Sequence, residues 1–352
     1  MILLLALAVP CLAVEEPDAG AAGQALPAGA AEALEGVEVE SADLDGGLER
    51  IGAFLRENFG GTLKEALVPL GAVLAVTVLC AVAEQLNFAA KDSGFDFVAF
   101  GGCLAIAAAT VTDLRSAVAL GGETVRALSE YSHALLPTLT TAAVMSGAAV
   151  SAGAKYAAAA LLSDVLLTAA ESLILPLICA YTATVTAGAA LGTDQLSSAA
   201  KMLQWLTKTL MKALVIAFTG YLALTGVLKG AADAAAVKAA KSALSAALPV
   251  VGRTISDAAE SLVAGASITR NAIGSFGMLA VLAAVALPVL RLGLRVALYK
   301  AVAAVAAAAS GGRLTKLLEG IGNACSMLLG LVGAAAAFMF LAILSLLQTV
   351  TG

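Results

Sequence analysis

The chain has 352 residues, of which 61% are hydrophobic and 13% are charged, and its formal net charge is −5. Soluble globular domains contain about 25% charged residues, so this composition excludes that class and predicts an integral membrane protein. Small residues are abundant, with 34 Gly, and they let transmembrane helices approach closely. Because the apolar runs are long and continuous rather than alternating, we predict an all-α fold: a polytopic helical membrane bundle of about seven spans, with amphipathic interfacial or re-entrant helices.

The charged and reactive residues predict which partners and chemistry the chain lacks. No basic cluster forms, so we expect no nucleic-acid partner. The cysteines are isolated, without a CxxC pair, and His133 is the single histidine, so we predict neither a metal site nor a cofactor. No phosphate-binding loop, zinc-protease motif or serine-hydrolase motif is present. We therefore expect that the chain is not an enzyme.

The N-terminal part of the chain is predicted to differ from the rest. Residues 1–13 are a short apolar run followed by acidic residues, which is typical of a signal peptide. Residues 14–60 are acidic and rich in Ala and Gly, so we expect an extracytoplasmic, mostly flexible segment with a weak helix over 44–59. Residues 61–352 form the predicted polytopic membrane domain.

Hydropathy places the spans along residues 61–352. Two mixed segments are predicted to lie at the membrane surface: a helix pair over 113–133, broken at Gly121-Gly122, and an amphipathic helix over 194–212 that carries Trp205. The region 276–309 exceeds the roughly 20 residues of one span and contains Pro288, so we expect two shorter or tilted helices there. The remaining predicted spans are 66–83, 97–112, 134–152, 165–191, 214–228 and 325–347.

The stretch 247–274 is polar although apolar regions flank it. On a helix, Arg253, Asp257, Glu260 and Asn271 fall on one mostly polar stripe. Pro249 and Gly252 precede this stripe as helix breakers. The pattern fits either a surface helix or a re-entrant segment packed against the bundle, and in both cases we interpret these residues as a candidate assembly or passage surface.

Ionisable residues inside apolar runs are the other candidates for a functional site. Glu171 lies within the predicted span 165–191, and an intramembrane carboxylate usually faces protein or water. Arg291 and Arg295 share a helix face, and Lys300 can extend from a helix end towards the membrane surface. These residues predict a polar passage or an interhelical ion pair that involves Glu171 and the bases. The alternatives are a pair that only orients helices, or a span boundary that lies elsewhere.

Three blocks of residues carry a family resemblance. The first runs from Pro249-Val250-Val251-Gly252 through Ser256-Asp257-Ala258 and Glu260-Ser261 to Asn271 and Gly274. The second is Leu136-Pro137 followed by the small-residue run 146–152, and the third is Pro288, Arg291 and Tyr299-Lys300. Over about residues 60 to 350 the chain resembles the stage III sporulation protein AE family.

The resemblance implies a specific role in sporulation. It implies a non-enzymatic membrane subunit of the sporulation stage III A complex, a channel or feeding apparatus that supports the engulfed forespore. The expected location is the mother-cell membrane around the forespore. The expected partners are the other membrane proteins of that operon and their ATPase, a forespore-side protein, the lipid bilayer and further copies of the chain. The alternative hypothesis is a secondary transporter with a midplane site near Glu171, Arg291 and Arg295.

Overall fold

The computed structural model describes residues 23–36, 39, 44–86, 97–145, 156, 161, 165, 168–227, 252–309 and 312–347. Within these residues the chain forms α-helices without strands, which confirms the predicted all-α membrane bundle. The predicted signal peptide, residues 146–152 of the predicted span 134–152, and Pro249 lie outside the described residues. The helices are α1 (Ala28–Ala33), α2 (Leu44–Leu86), α3 (Phe97–Ala143), α4 (Leu175–Leu191), α5 (Asp194–Val227), α6 (Gly252–Ala309) and α7 (Gly312–Leu347).

Five of the described helical segments are long and apolar enough to cross a membrane. They lie in α2, α3, the segment that ends with α4, α6 and α7. The predicted first and last spans, 66–83 and 325–347, fall inside α2 and α7. Between 97 and 143 and between 276 and 309, however, the helix boundaries that we predicted from the sequence are wrong.

Residues 113–133 are not an interfacial helix pair, because α3 is one continuous helix of 47 residues. It therefore joins the predicted spans 97–112 and 134–152, the latter as far as residue 143. The two glycines at 121 and 122 do not break it. A methyl group added at Gly121 would lie 3.3 Å from Leu328 Cδ2 of α7, and one at Gly122 would lie 3.2 Å from Leu175 Cδ1 of α4. These glycines thus allow close helix packing.

Residues 276–309 are likewise not two helices, because they belong to the 58-residue helix α6, which includes Pro288. Proline removes one helical hydrogen bond, but Ala283 and Leu292 on either side of Pro288 are buried. Packing against α7, α2 and α3 holds both halves in one helix. At 1.5 Å per residue α6 is about 87 Å long, so it extends well beyond a hydrocarbon core of about 30 Å.

Close approaches between helices define their directions. Gly274 of α6 adjoins Leu347 of α7, and Tyr299 lies beside Gly322, so α6 and α7 form an antiparallel hairpin. Gly277 of α6 adjoins Leu135 of α3, whereas Arg295, further along α6, contacts the earlier part of α3. Helix α3 is therefore antiparallel to α6 and parallel to α7.

The candidate spans all have one terminus at the same end of the bundle. Gly102, near the start of α3, adjoins Cys80 of α2 and Leu314 of α7, and Gly192, just after α4, adjoins Arg313. Helix α6 ends at Ala309, where the chain turns into α7. We call this the hairpin end: the C-terminal ends of α2, α4 and α6 and the N-terminal ends of α3 and α7.

The N-terminal segment also contributes to the core. Helix α1 packs against α6. Its residues Ala30 and Ala33 are buried, as is Leu34, which directly follows the helix. The predicted weak helix over 44–59 forms the first part of α2. The described part of the segment that we predicted to be mostly flexible is therefore helical over 28–33 and from residue 44 onwards.

Candidate functional site

A buried polar network joins α3 to α6. Arg295 Nε donates a hydrogen bond to Asp113 Oδ1 at 2.9 Å, and Tyr299 Oη donates one to Asp113 Oδ2 at 2.8 Å. Arg295 and Tyr299 are four residues apart on α6, so one face of the helix presents both donors to the same carboxylate. The side chains of Arg295 and Asp113 are only 15% and 9% exposed. Each charge is thus neutralised inside the protein, as a charge at membrane depth requires.

A second interhelical ion pair is exposed. Arg126 of α3 bonds Glu171 Oε1 through Nε at 3.0 Å and through Nη2 at 2.5 Å. Glu171 lies in a single π-helical turn, Ala170–Ile174, directly before α4. The two side chains are 57% and 36% exposed, so this pair lies at the surface of the bundle.

The structure does not bring Glu171 together with Arg295, as the predicted polar passage requires. Their partners Arg126 and Asp113 are thirteen residues apart on α3, which corresponds to about 20 Å along the helix. Glu171 and Arg295 each pair instead with a residue of α3. This pairing supports the interpretation in which ion pairs orient helices, and it does not support a site shared by Glu171 and Arg295.

Two guanidinium donors in this region have no hydrogen-bond partner within the part of the chain that the structure describes. They are Arg291 Nε and Arg295 Nη1, and both atoms are buried. Buried donors are normally satisfied by protein or by ordered water. Arg291 and Arg295 therefore bring more hydrogen-bond donors into this part of the bundle than the described neighbouring side chains satisfy.

The strongest candidate for a binding site is a polar cavity of about 460 Å³ at the hairpin end, between α4, α5 and α7. Its charged lining residues are Lys201, Arg313, Lys316 and Glu319, so three positive charges and one negative charge give a net charge of +2. Thr184, Thr193 and Ser197 add hydroxyl groups. Within the described residues no carboxylate forms an ion pair with these three cations.

The turn between α4 and α5 positions one of these cations. Gly192 adopts φ +69°, the left-handed conformation that ends a helix, and its N–H donates to the carbonyl of Gly188. The guanidinium of Arg313 lies directly against it: a methyl group added at Gly192 would be 2.5 Å from Arg313 Cζ. Glycine at this position thus permits the left-handed turn and leaves space for the guanidinium of Arg313.

A second cavity of about 400 Å³ lies on the other side of α7 and includes Lys300, one of the sequence-predicted candidates. Glu319 and Asn323 line both cavities. They are one helical turn apart, so this face of α7 separates the two spaces. Lys300 is exposed and therefore adds a further positive charge near the hairpin end.

The predicted polar stripe lies at the N-terminal end of α6. Gly252 is the first residue of the helix, and Arg253, Asp257 and Glu260 follow in its first turns, where the backbone is helical. Asn271 is exposed. The helical spacing on which the stripe depends is therefore present, and α6 carries it continuously into the apolar stretch that packs against α7.

Sequence reasoning missed Asp113 and the cavity residues. Asp113 directly follows the predicted span 97–112 and begins the predicted interfacial helix pair. Lys201 lies within the predicted amphipathic helix over 194–212, and Arg313 and Lys316 lie between the predicted spans. The sequence signal that points to the cavity residues is Gly192 followed by the helix start at Asp194. This pattern indicates a tight turn at the end of a span, with cations on the helices beside it.

Comparisons with known proteins agree on one family. Residues 37–350 match the family model described as stage III sporulation protein AE. Stage III sporulation protein AE of Bacillus subtilis (strain 168) is 20% identical to the chain over 277 residues, which cover 78% of this chain and 69% of that protein. No solved structure gives a significant match.

Proposed function

Because the chain belongs to the stage III sporulation protein AE family, we propose that this sporulation protein is the integral membrane subunit of the stage III A complex. In this proposal it resides in the mother-cell membrane that surrounds the forespore. The complex forms a channel or feeding apparatus that keeps the engulfed forespore active. The observation that carries the proposal is the family match over residues 37–350, which includes α2 to α7 and all five candidate spans.

The proposed role is structural and assembly-related rather than enzymatic. The Asp113–Arg295–Tyr299 network holds α3 to α6, and the polar stripe at the start of α6 provides a surface for other subunits. The proposed partners are the other membrane proteins of the stage III A operon and their ATPase, further copies of the chain, and, indirectly, a forespore-side protein across the intermembrane space.

Deletion of the gene in the spore-forming organism that carries it tests this proposal. We expect engulfment to finish, forespore development to stop afterwards and heat-resistant spores to be lost, while vegetative growth continues at the normal rate. An intact copy at a second chromosomal position is the control, and it must restore heat-resistant spores. Normal spore yield without the gene would refute the proposal.

A test of the complex itself uses an affinity-tagged chain purified from sporulating cells. Recovery of the other operon-encoded membrane proteins, and their absence from a purification of an unrelated tagged multi-span protein, is expected. If the tagged chain restores sporulation but recovers none of them under mild detergent, the role as a subunit is wrong even though the role in sporulation stands.

A further inference from the structure

We infer that the polar cavity at the hairpin end binds a phosphate group presented at the membrane surface. This inference does not depend on the proposed membership of a complex, because it rests on the lining of the cavity and its place in the bundle. Lys201 on α5 and Arg313 and Lys316 on α7 face one space of about 460 Å³. Cations drawn from two helices around one space favour an anion as its occupant.

The chemistry of the lining matches phosphate. Arginine binds phosphate through paired N–H donors, and lysine binds it as a point charge. The hydroxyls of Thr193 and Ser197 supply neutral donors within the same cavity. With Glu319 included, the net charge of the lining is +2, which suits an anion of one or two negative charges.

The location of the cavity corresponds to the level of lipid headgroups. The five candidate spans have a terminus at the hairpin end, and on this basis we place one surface of the bilayer there. Arg313 and Lys316 lie in the first two turns of α7. On the neighbouring face of α5, Trp205 is 64% exposed and alternates with lysines, the residue types that are enriched at membrane interfaces.

Close packing of the helices around Arg313 supports a built site. Its guanidinium packs against Gly192, where a side chain would collide with it. Gly320 of α7, another lining residue, meets Val185 of α4 so closely that a methyl group would clash. The two helices therefore pack tightly beside the cavity, and the guanidinium of Arg313 lines it without a carboxylate partner among the described residues.

Phosphate at this level comes either from an anionic lipid headgroup or from solution, and one experiment separates these sources. The full chain is purified in detergent and titrated with phosphatidylglycerol, with inorganic phosphate and with oleate, and bound copies are counted by native mass spectrometry. The test variant is Lys201→Gln/Lys316→Gln, because both residues are exposed and their loss should leave the fold intact. The matched control is Lys208→Gln/Lys212→Gln, which also removes two positive charges at exposed positions, both on α5 and both outside the cavity.

We expect the test variant to bind phosphatidylglycerol roughly 25-fold more weakly, about fivefold for each cation removed, while the control binds like the unmodified chain. Should the thermal melt show that the double variant is unstable, Lys316→Gln alone should weaken binding roughly fivefold. If only inorganic phosphate shows this dependence, the site takes phosphate from solution. Equal binding by the test and control variants for both phosphate ligands, or oleate bound as tightly and with the same dependence, would overturn the inference.

Discussion

Asp113 of α3 accepts hydrogen bonds from Arg295 and Tyr299 of α6, although 182 residues of sequence separate it from Arg295. This is the most buried ion pair within the described residues, and it sits where α3 and α6 cross between the two parts of the apolar core. Removing one partner of a buried pair leaves an uncompensated charge, which costs more than the pair contributes when intact.

Asp113→Asn should therefore lower the free energy of unfolding by about 3–5 kcal/mol, because Arg295 then stays buried without a counter-charge. The measurement is thermal or denaturant unfolding in detergent at a fixed detergent concentration. The double variant Asp113→Asn/Arg295→Leu should recover part of the loss, since it removes both charges. As a control, Glu171→Gln removes the exposed carboxylate beside Arg126 and should change stability far less. An equal loss for Asp113→Asn and Glu171→Gln would contradict the buried role of Asp113.

The turn at Gly192 gives a second prediction. Gly192→Ala should destabilise the chain by about 1–2 kcal/mol, because alanine resists the left-handed conformation and its methyl group would collide with Arg313. Gly293→Ala is the matched control: Gly293 lies inside α6 with open space around it, and alanine is the better helix former there by about 1 kcal/mol. Unfolding in detergent measures both. A destabilisation of Gly293→Ala equal to that of Gly192→Ala would argue against the turn geometry.

The general fold was predictable because burial in lipid demands long apolar helices, and these are visible in composition. The first and last predicted spans lie within α2 and α7 for that reason. The helix boundaries in α3 were not predictable, because Gly121-Gly122 reads equally as a break or as a place of close packing. Only the side chains of Leu328 and Leu175 against these glycines decide between the two.

The ion-pair partners could not be derived from the sequence for a related reason. Hydropathy identifies Glu171 and Arg295 as costly at membrane depth, but the partner depends on which helices are neighbours. The pairing of Arg126 with Glu171 and of Asp113 with Arg295 follows from the antiparallel contacts of α3 with α4 and α6. The sequence therefore predicts that such residues need partners, whereas the packing of α3 selects them.

A third prediction concerns the topology at the hairpin end. Thr193, after α4, and Gly312, at the start of α7, are both exposed there. In a variant without native cysteines, Thr193→Cys and Gly312→Cys should react from the same side of the membrane with an impermeant maleimide. Labelling in intact protoplasts, compared with labelling after permeabilisation, determines the side. Reaction from opposite sides would show that the spans do not end together and would also remove the membrane-surface location of the cavity.

The last prediction concerns the polar stripe at the start of α6. Because residues 252–270 are helical, Arg253, Asp257 and Glu260 retain the spacing that places them on one face. Asp257→Ala should therefore reduce co-purification of the proposed partner subunits more than Asp194→Ala, which removes the same charge at the start of α5. Both variants are compared at equal expression, with spore yield as a second readout. Equal recovery of partners by the two variants would mean that the stripe is not the assembly surface, and the search would move to the exposed faces of α2 and α5.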